Sequence, residues 1–254
     1  MPRPRANTAE VSHPEDMLRK ATLARNAGLR AKYARRGLDH DGSLDRTTRT
    51  MLLRQLYLSH MEAKRFAEAR VTAEEMVGLA VMPDVARQDA ARACLGVGDR
   101  SAAIEHLRLA SRVSPPSRRA FHLWTLGSLL YLDNRHAEAI GALLRAARWG
   151  TSDKPLYQAQ LALARIAADD SEVHNLRILR ERLAEAPCGQ GYGQFVLGEL
   201  AFHEGDYEAA RAYLRGFVRR STSGRVALAI ALEGEIQRAK QLIAQMRGKP
   251  VQRR

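Results

Sequence analysis

Six aromatic residues recur at one spacing in two places, and they are the side chains of this chain best suited to recognition chemistry. Phe121, Trp124 and Tyr131 stand at i, i+3 and i+10, and Tyr192, Phe195 and Phe202 repeat that spacing 71 residues on. On a helix each trio falls on one side. Rings gathered on one side offer the broad apolar contact of a binding hot spot, and they serve equally as packing between neighbouring helices. The spacing alone leaves these two readings open. Arg54, Gln88, Arg92 and Glu199 fall on the corresponding side of their own segments and would supply a polar rim.

Reactive chemistry is harder to find. Asp39, Asp41 and Asp45 surround Gly42 like a calcium loop, but the glycine and the closing glutamate are misplaced, so a helix-capping loop is expected. Gly189, Gly191 and Gly193 crowd one loop without the spacing of a dinucleotide fingerprint or a strand before it. No Gly-x-x-x-x-Gly-Lys loop is present, and the eight His form neither His-x-x-x-His nor His-Glu-x-x-His. Cys94 falls on an apolar stripe and Cys188 in a loop; two cysteines make no disulfide framework and are expected as free thiols. These residues point to no enzyme, no metal and no cofactor.

The elements that must position the rings declare themselves by repetition. Ala69, Ala103, Ala139, Ala210 and Ala239 are separated by 34, 36, 71 and 29 residues, the gap of 71 being two units with one marker lost. Ala73, Leu107, Leu143, Leu214 and Ile243 follow at i+4, and Met76, Ala110, Ala146, Phe217 and Met246 at i+7, which is one apolar stripe on a helix. Leu126-Gly127 and Leu197-Gly198 hold one position before two of the markers, where a small residue lets two helices approach. Gly98, Gly205 and Gly234 lie five residues before theirs and are expected to end the first helix of a pair, with Asp99 and Asp206 capping the second. The weakest unit, residues 156–190, still reads as two amphipathic helices from Leu161, Leu163 and Ile166, then Val173, Leu176, Leu179 and Leu183.

This pattern resembles the tetratricopeptide repeat (TPR) family, a helix–turn–helix unit of about 34 residues, across residues 48–247. The family's Trp is absent from its usual place, where Leu123 stands in the best-matching unit. The resemblance implies an all-α fold, a TPR-type α-solenoid winding as a right-handed superhelix of about six helix pairs. Residues 15–47 would add an N-terminal basic capping helix, stopped at Gly37, and a loop; residues 1–14 and 248–254 would be disordered tails.

In such a solenoid the first helices line a concave groove, so the resemblance places Phe121, Trp124, Tyr131, Tyr192, Phe195 and Phe202 there, with Leu156, Ala159 and Ile166 as a smaller floor. The implied function is a scaffold or adaptor holding a protein or peptide partner. A carboxylate clamp is not supported, since the first unit offers Arg54 but Leu58.

Charge supplies the competing reading. The net +13 is concentrated at the ends: residues 1–36 hold nine Lys/Arg against three Asp/Glu, and residues 215–254 ten against two. A nucleic-acid-associated or regulatory role through basic ends is therefore the alternative. The N-terminus does not read as a secretory signal, and no apolar run reaches eighteen residues, so a cytoplasmic chain without membrane insertion is expected. The Arg and Ala bias suggests a GC-rich bacterial genome.

Overall fold

The computed structural model describes residues 13–40, 44–170, 175–223 and 226–247, with side chains omitted at Val226 and Ala227. The expected tails, apart from His13 and Pro14, and Asp41, Gly42 and Val173 lie outside these residues. Among them the chain is all-helical, with no strand. It divides into two compact units, Met1–Val81 and Met82–Arg254.

The first unit holds α1 (Pro14–Thr22), α2 (Ala27–Leu38), α3 (Arg46–Glu62) and α4 (Phe66–Leu79). Each helix packs on the next. The single capping helix expected here is two. Asn26 breaks it, its extended backbone capping α2 through a side-chain hydrogen bond from Leu29 N. Gly37 is not the stop. It lies inside α2, where a Cβ would come 2.7 Å from a Leu52 methyl, so the glycine lets α2 close on α3.

The second unit carries α5 (Pro83–Gly96), α6 (Arg100–Val113), α7 (Pro116–Leu132), α8 (His136–Trp149), α9 (Lys154–Ala167), α10 (Leu176–Glu185), α11 (Gly193–His203), α12 (Tyr207–Thr222), α13 (Val226–Ala231) and α14 (Glu233–Gln245). A 3-10 turn, Pro187–Gly189, precedes α11. Helix pairs α5/α6, α7/α8, α9/α10 and α11/α12 pack within themselves and on their neighbours, the organisation of a TPR-like α-solenoid.

The repeat markers sit where helices cross. Ala69, Ala103, Ala139, Ala210 and Ala239 have no exposed surface. At Gly127 and Gly198 an added Cβ would lie 2.6 Å from Leu143 and 2.5 Å from Leu214, so the glycines set the distance between first and second helix. Burying such a leucine stabilises each pair by about 1.5–3 kcal/mol. Asp99 and Asp206 cap their helices as expected, accepting from Ala102 N and Ala209 N.

The left-handed turn between paired helices proves more regular than the glycine that marks it. Gly98 and Gly205 have φ of 81° and 79°, and Lys64, Asn134 and Asp169 adopt 58°, 58° and 53° at the same point of their units. Gly234 is the exception: it sits in the first turn of α14, with the break before it at Leu232. Its role is close approach, since a Cβ there would be 3.1 Å from Leu132.

Candidate binding groove

A cavity of about 930 Å³ opens inside the second unit. One wall comes from α5 and α7, with Gln88, Arg92, Phe121, Trp124 and Tyr131. Tyr192, at the N-cap of α11, closes one side. The opposite wall is the chain's own C-terminal segment, with Leu228 and Ile230 of α13 and Glu235 and Arg238 of α14.

The rings are organised around Trp124. Tyr192 meets it edge-on at a centroid distance of 4.9 Å, Tyr157 lies 5.9 Å away and Phe121 5.8 Å away. The indole N–H donates to Gln160 Oε1 at 2.8 Å, the Gln160 amide donates to the Tyr192 hydroxyl at 3.3 Å, and that hydroxyl donates to Glu235 Oε1 at 3.2 Å. A fully buried Gln160 thus ties α7 and α11 through α9 and fixes both rings at the cavity edge.

A second polar strand runs beside the first. Tyr131 donates to Glu199 Oε1 at 3.2 Å, and Arg238 Nε donates to the same oxygen at 2.9 Å. Burial raises the Glu199 carboxyl above its usual range, with Arg238 and Tyr131 pulling the other way. Burial likewise pushes Glu235 up to about 7, helped by the neighbouring Glu199 and opposed by Tyr192 and Arg100. One half-exposed guanidinium, Arg238, pairs with the buried Glu199, while the bond to Glu235 comes from the Tyr192 hydroxyl.

The two trios have different fates. Phe121 is exposed, Trp124 and Tyr192 are half-buried, and Tyr131 shows little surface, but all four line the cavity. Phe195 and Phe202 do not. Phe195 has no exposed surface and packs on Phe217 at 5.4 Å, inside the α11/α12 pair; Phe202 meets Tyr207 at a tilt, with centroids 5.9 Å apart. Of the six rings expected in the groove, Phe195 and Phe202 are packing residues and do not line this cavity.

The floor is corrected as well. Leu156 and Ala159 are core residues, and neither they nor Ile166 reach the cavity, where α9 contributes Ala167. Of the expected rim, Gln88 and Arg92 line the cavity, Arg92 reaching Asp89 at 3.4 Å. Glu199 is wholly buried, a core carboxylate rather than a rim group. Arg54 is half-buried on α3 in the first unit and is not among the cavity residues.

Sequence spacing missed Gln160, and it missed a buried cluster at the α5/α7 contact. Arg118 grips Asp84 with two hydrogen bonds of 2.7 and 2.9 Å, and His122 Nε2 sits 3.0 Å from the same carboxylate. Burial raises the Asp84 carboxyl, but the bonds from Arg118 and His122 outweigh it and hold it below the usual value. Burial lowers His122 against the pull of Asp84, which favours a neutral imidazole. This cluster anchors α7 to α5 and so holds the wall that carries Phe121 and Trp124. The signal was available: Asp84 and Arg118 stand 34 residues apart, one repeat length, at the starts of successive first helices.

Among the described residues no group of three or more His, Cys, Asp or Glu is placed to hold a metal ion. No described helix is long and apolar enough to cross a membrane. The crowded glycine loop is a packing device: a Cβ at Gly189 would lie 2.0 Å from the Leu183 carbonyl, and one at Gly193 would lie 2.1 Å from that of Cys188.

No protein-family model matches the sequence, and no curated protein matches it. Among solved structures, one from the functional characterisation of Pseudomonas aeruginosa PilF, a TPR-containing protein, is similar at a TM-score of 0.50 and 18% identity. The match covers 79% of this chain and 89% of that one. At that identity the likeness bears on the fold, which is TPR-like.

Proposed function

We propose that this protein is an interaction scaffold whose second unit holds a segment of a partner protein in the cavity bordered by Trp124, Tyr192, Phe121 and Tyr131. The observation that carries this reading is the group of three incompletely buried rings, Phe121, Trp124 and Tyr192, beside an open cavity of about 930 Å³. Half-exposed aromatics held by a hydrogen-bond network, with Gln88, Arg92 and Arg100 at the edge, have the apolar centre and polar margin of a recognition site. The network also supplies preorganisation, because the Trp124 ring is fixed before anything binds.

Selection of peptides on the full-length protein from a displayed library tests this. Selected peptides should bind the unmodified chain, and Trp124→Ala should weaken them by about 2 kcal/mol or more. A library that yields no Trp124-dependent binder removes the proposal.

A further inference from the structure

The groove is already partly filled by the chain itself. Helix α13 packs against α5, well over a hundred residues upstream, and Gly234 brings the start of α14 against Leu132 at the end of α7. The first helices α5, α7, α9 and α11 run 14, 17, 14 and 11 residues, whereas α13 has six. Its run Leu228-Ala-Ile-Ala-Leu232 is wholly apolar yet only partly covered, with Leu228 36% exposed. A six-residue helix with no fully buried side chain among Leu228–Ala231 is held less firmly than the longer helices around it. The helix that follows is held differently, with Ala239, Leu242 and Met246 buried.

The carboxylates of the cavity lie on one side of this contact, beside Arg238, which is paired with Glu199. The cavity wall from α5 to α8 presents Arg92, Arg100 and His136, and the carboxylates among the lining residues, Glu233 and Glu235, both belong to the C-terminal segment. Arg92 and Arg100 reach their own partners, Asp89 and Asp133, only at 3.4 Å. Glu235 takes the Tyr192 hydroxyl bond, so the segment engages one of the rings assigned to recognition.

We infer that residues 226–235 are an intrachain occupant of the groove, and that the partner which replaces them presents the same chemistry: a short helical run of small aliphatic side chains followed by carboxylates. The inference rests on the reading of the cavity as a peptide groove and adds the character of its ligand. Binding then competes with the chain's own segment, while α14 stays docked on α12.

The probe is a fluorescent peptide with the sequence of residues 226–235, followed by anisotropy against the full-length chain. Against Leu228→Lys/Ile230→Lys, which adds two cations to the cavity that Arg92 and Arg100 also line, the probe should bind at least about ten-fold tighter than against the unmodified chain, because the competing state is removed. Replacing both glutamates of the probe by alanine should lose most of that affinity, since the Tyr192 hydroxyl then has no acceptor at the Glu235 position. Equal affinity for the two chains, or an alanine-substituted probe that binds as well, overturns the inference. A second measurement needs no variant: saturating the unmodified chain with probe should speed amide exchange at residues 226–235 and leave 239–245 unchanged. Unchanged exchange at saturation also overturns it. If library-selected peptides bind through Trp124 without loosening 226–235, the groove reading stands and this one falls. A dimer dispersed by the double substitution would instead assign the groove to a second copy's segment, again against the proposal.

Discussion

Helices α7 and α11 carry aromatic trios at identical spacing, yet all three rings of the first line a cavity and only Tyr192 of the second does, with Phe195 wholly in the core. The difference begins at the helix starts. Helix α7 starts at Pro116 and runs a full turn before Phe121, so Phe121, Trp124 and Tyr131 all sit on a formed helix. Helix α11 starts at Gly193, after a 3-10 turn and a loop tightened by Gly189 and Gly193. Tyr192 is therefore an N-cap residue whose ring leans out to Trp124, while Phe195 faces Phe217 of the partner helix. Equal spacing fixes relative angles along a helix, but where the helix starts and what packs against it decide which angle meets solvent.

The largest expected effect separates these two rings. Phe195→Ala should destabilise the protein by about 3–5 kcal/mol, as removal of a wholly buried phenylalanine does. Thermal or denaturant unfolding measures this. A loss below about 1 kcal/mol would return Phe195 to the groove side and restore the symmetry of the trios.

Next in size is the pH dependence of the segment that meets the rings. Glu235, pushed up to about 7 by burial, binds its proton more tightly folded than unfolded. Its contribution is therefore present in full below the unfolded value near 4.5 and is lost as pH rises through about 7. The full loss is about 3 kcal/mol by linkage, with the neighbouring Glu199 titrating in the same direction. Glu235→Gln should flatten stability across that window and slow amide exchange in α14 at pH 8. A pH profile unchanged by the substitution would mean that Glu235 is ionised and solvated in the folded protein.

The crossings that hold both trios in place come third. Ala139 has no exposed surface where α7 and α8 cross, so Ala139→Leu should cost about 1–3 kcal/mol by overpacking. The same change should weaken peptide capture, since it displaces the α7 wall. An unchanged melting temperature would show slack at this crossing.

The helix pairs were legible because their markers are constrained from two sides. Only a small residue fits at Ala103, Ala139 or Gly127, so packing writes its period into the sequence. The left-handed turns were legible only in part, since Lys64, Asn134 and Asp169 do with a side chain what Gly98 and Gly205 do without one. The cavity lining was legible at the level of residue type, through Trp124, Phe121, Tyr131, Tyr192, Gln88 and Arg92. Its architecture was not, because Gln160 and Glu235 act across helices far apart in the chain, and helical periodicity carries no such information. The placement of Leu228, Ile230 and Glu235 at the cavity is of the same kind, a tertiary contact without a local signature.

The smallest expected effect is the most discriminating, because it isolates exposure from packing. Phe121 is 39% exposed and touches His122 and Trp124 at centroid distances of 5.4 and 5.8 Å. Its ring covers the outer edge of Trp124 but fills no enclosed space, so Phe121→Ala should change stability by no more than about 0.5 kcal/mol. For a bound peptide the same ring is half of an aromatic edge, and its loss should cost about 1 kcal/mol, roughly a five-fold drop in affinity. Trp124→Ala cannot make this separation alone, because it also breaks the bond to Gln160 and loosens Tyr192 behind it. If Phe121→Ala lowers stability and affinity together, the ring belongs to the α7 packing like Phe195 in α11, and the contrast between the helices narrows to Trp124. If affinity falls while the melting temperature holds, α7 presents a surface kept open for a partner, and the comparison of the two trios becomes one between recognition and core.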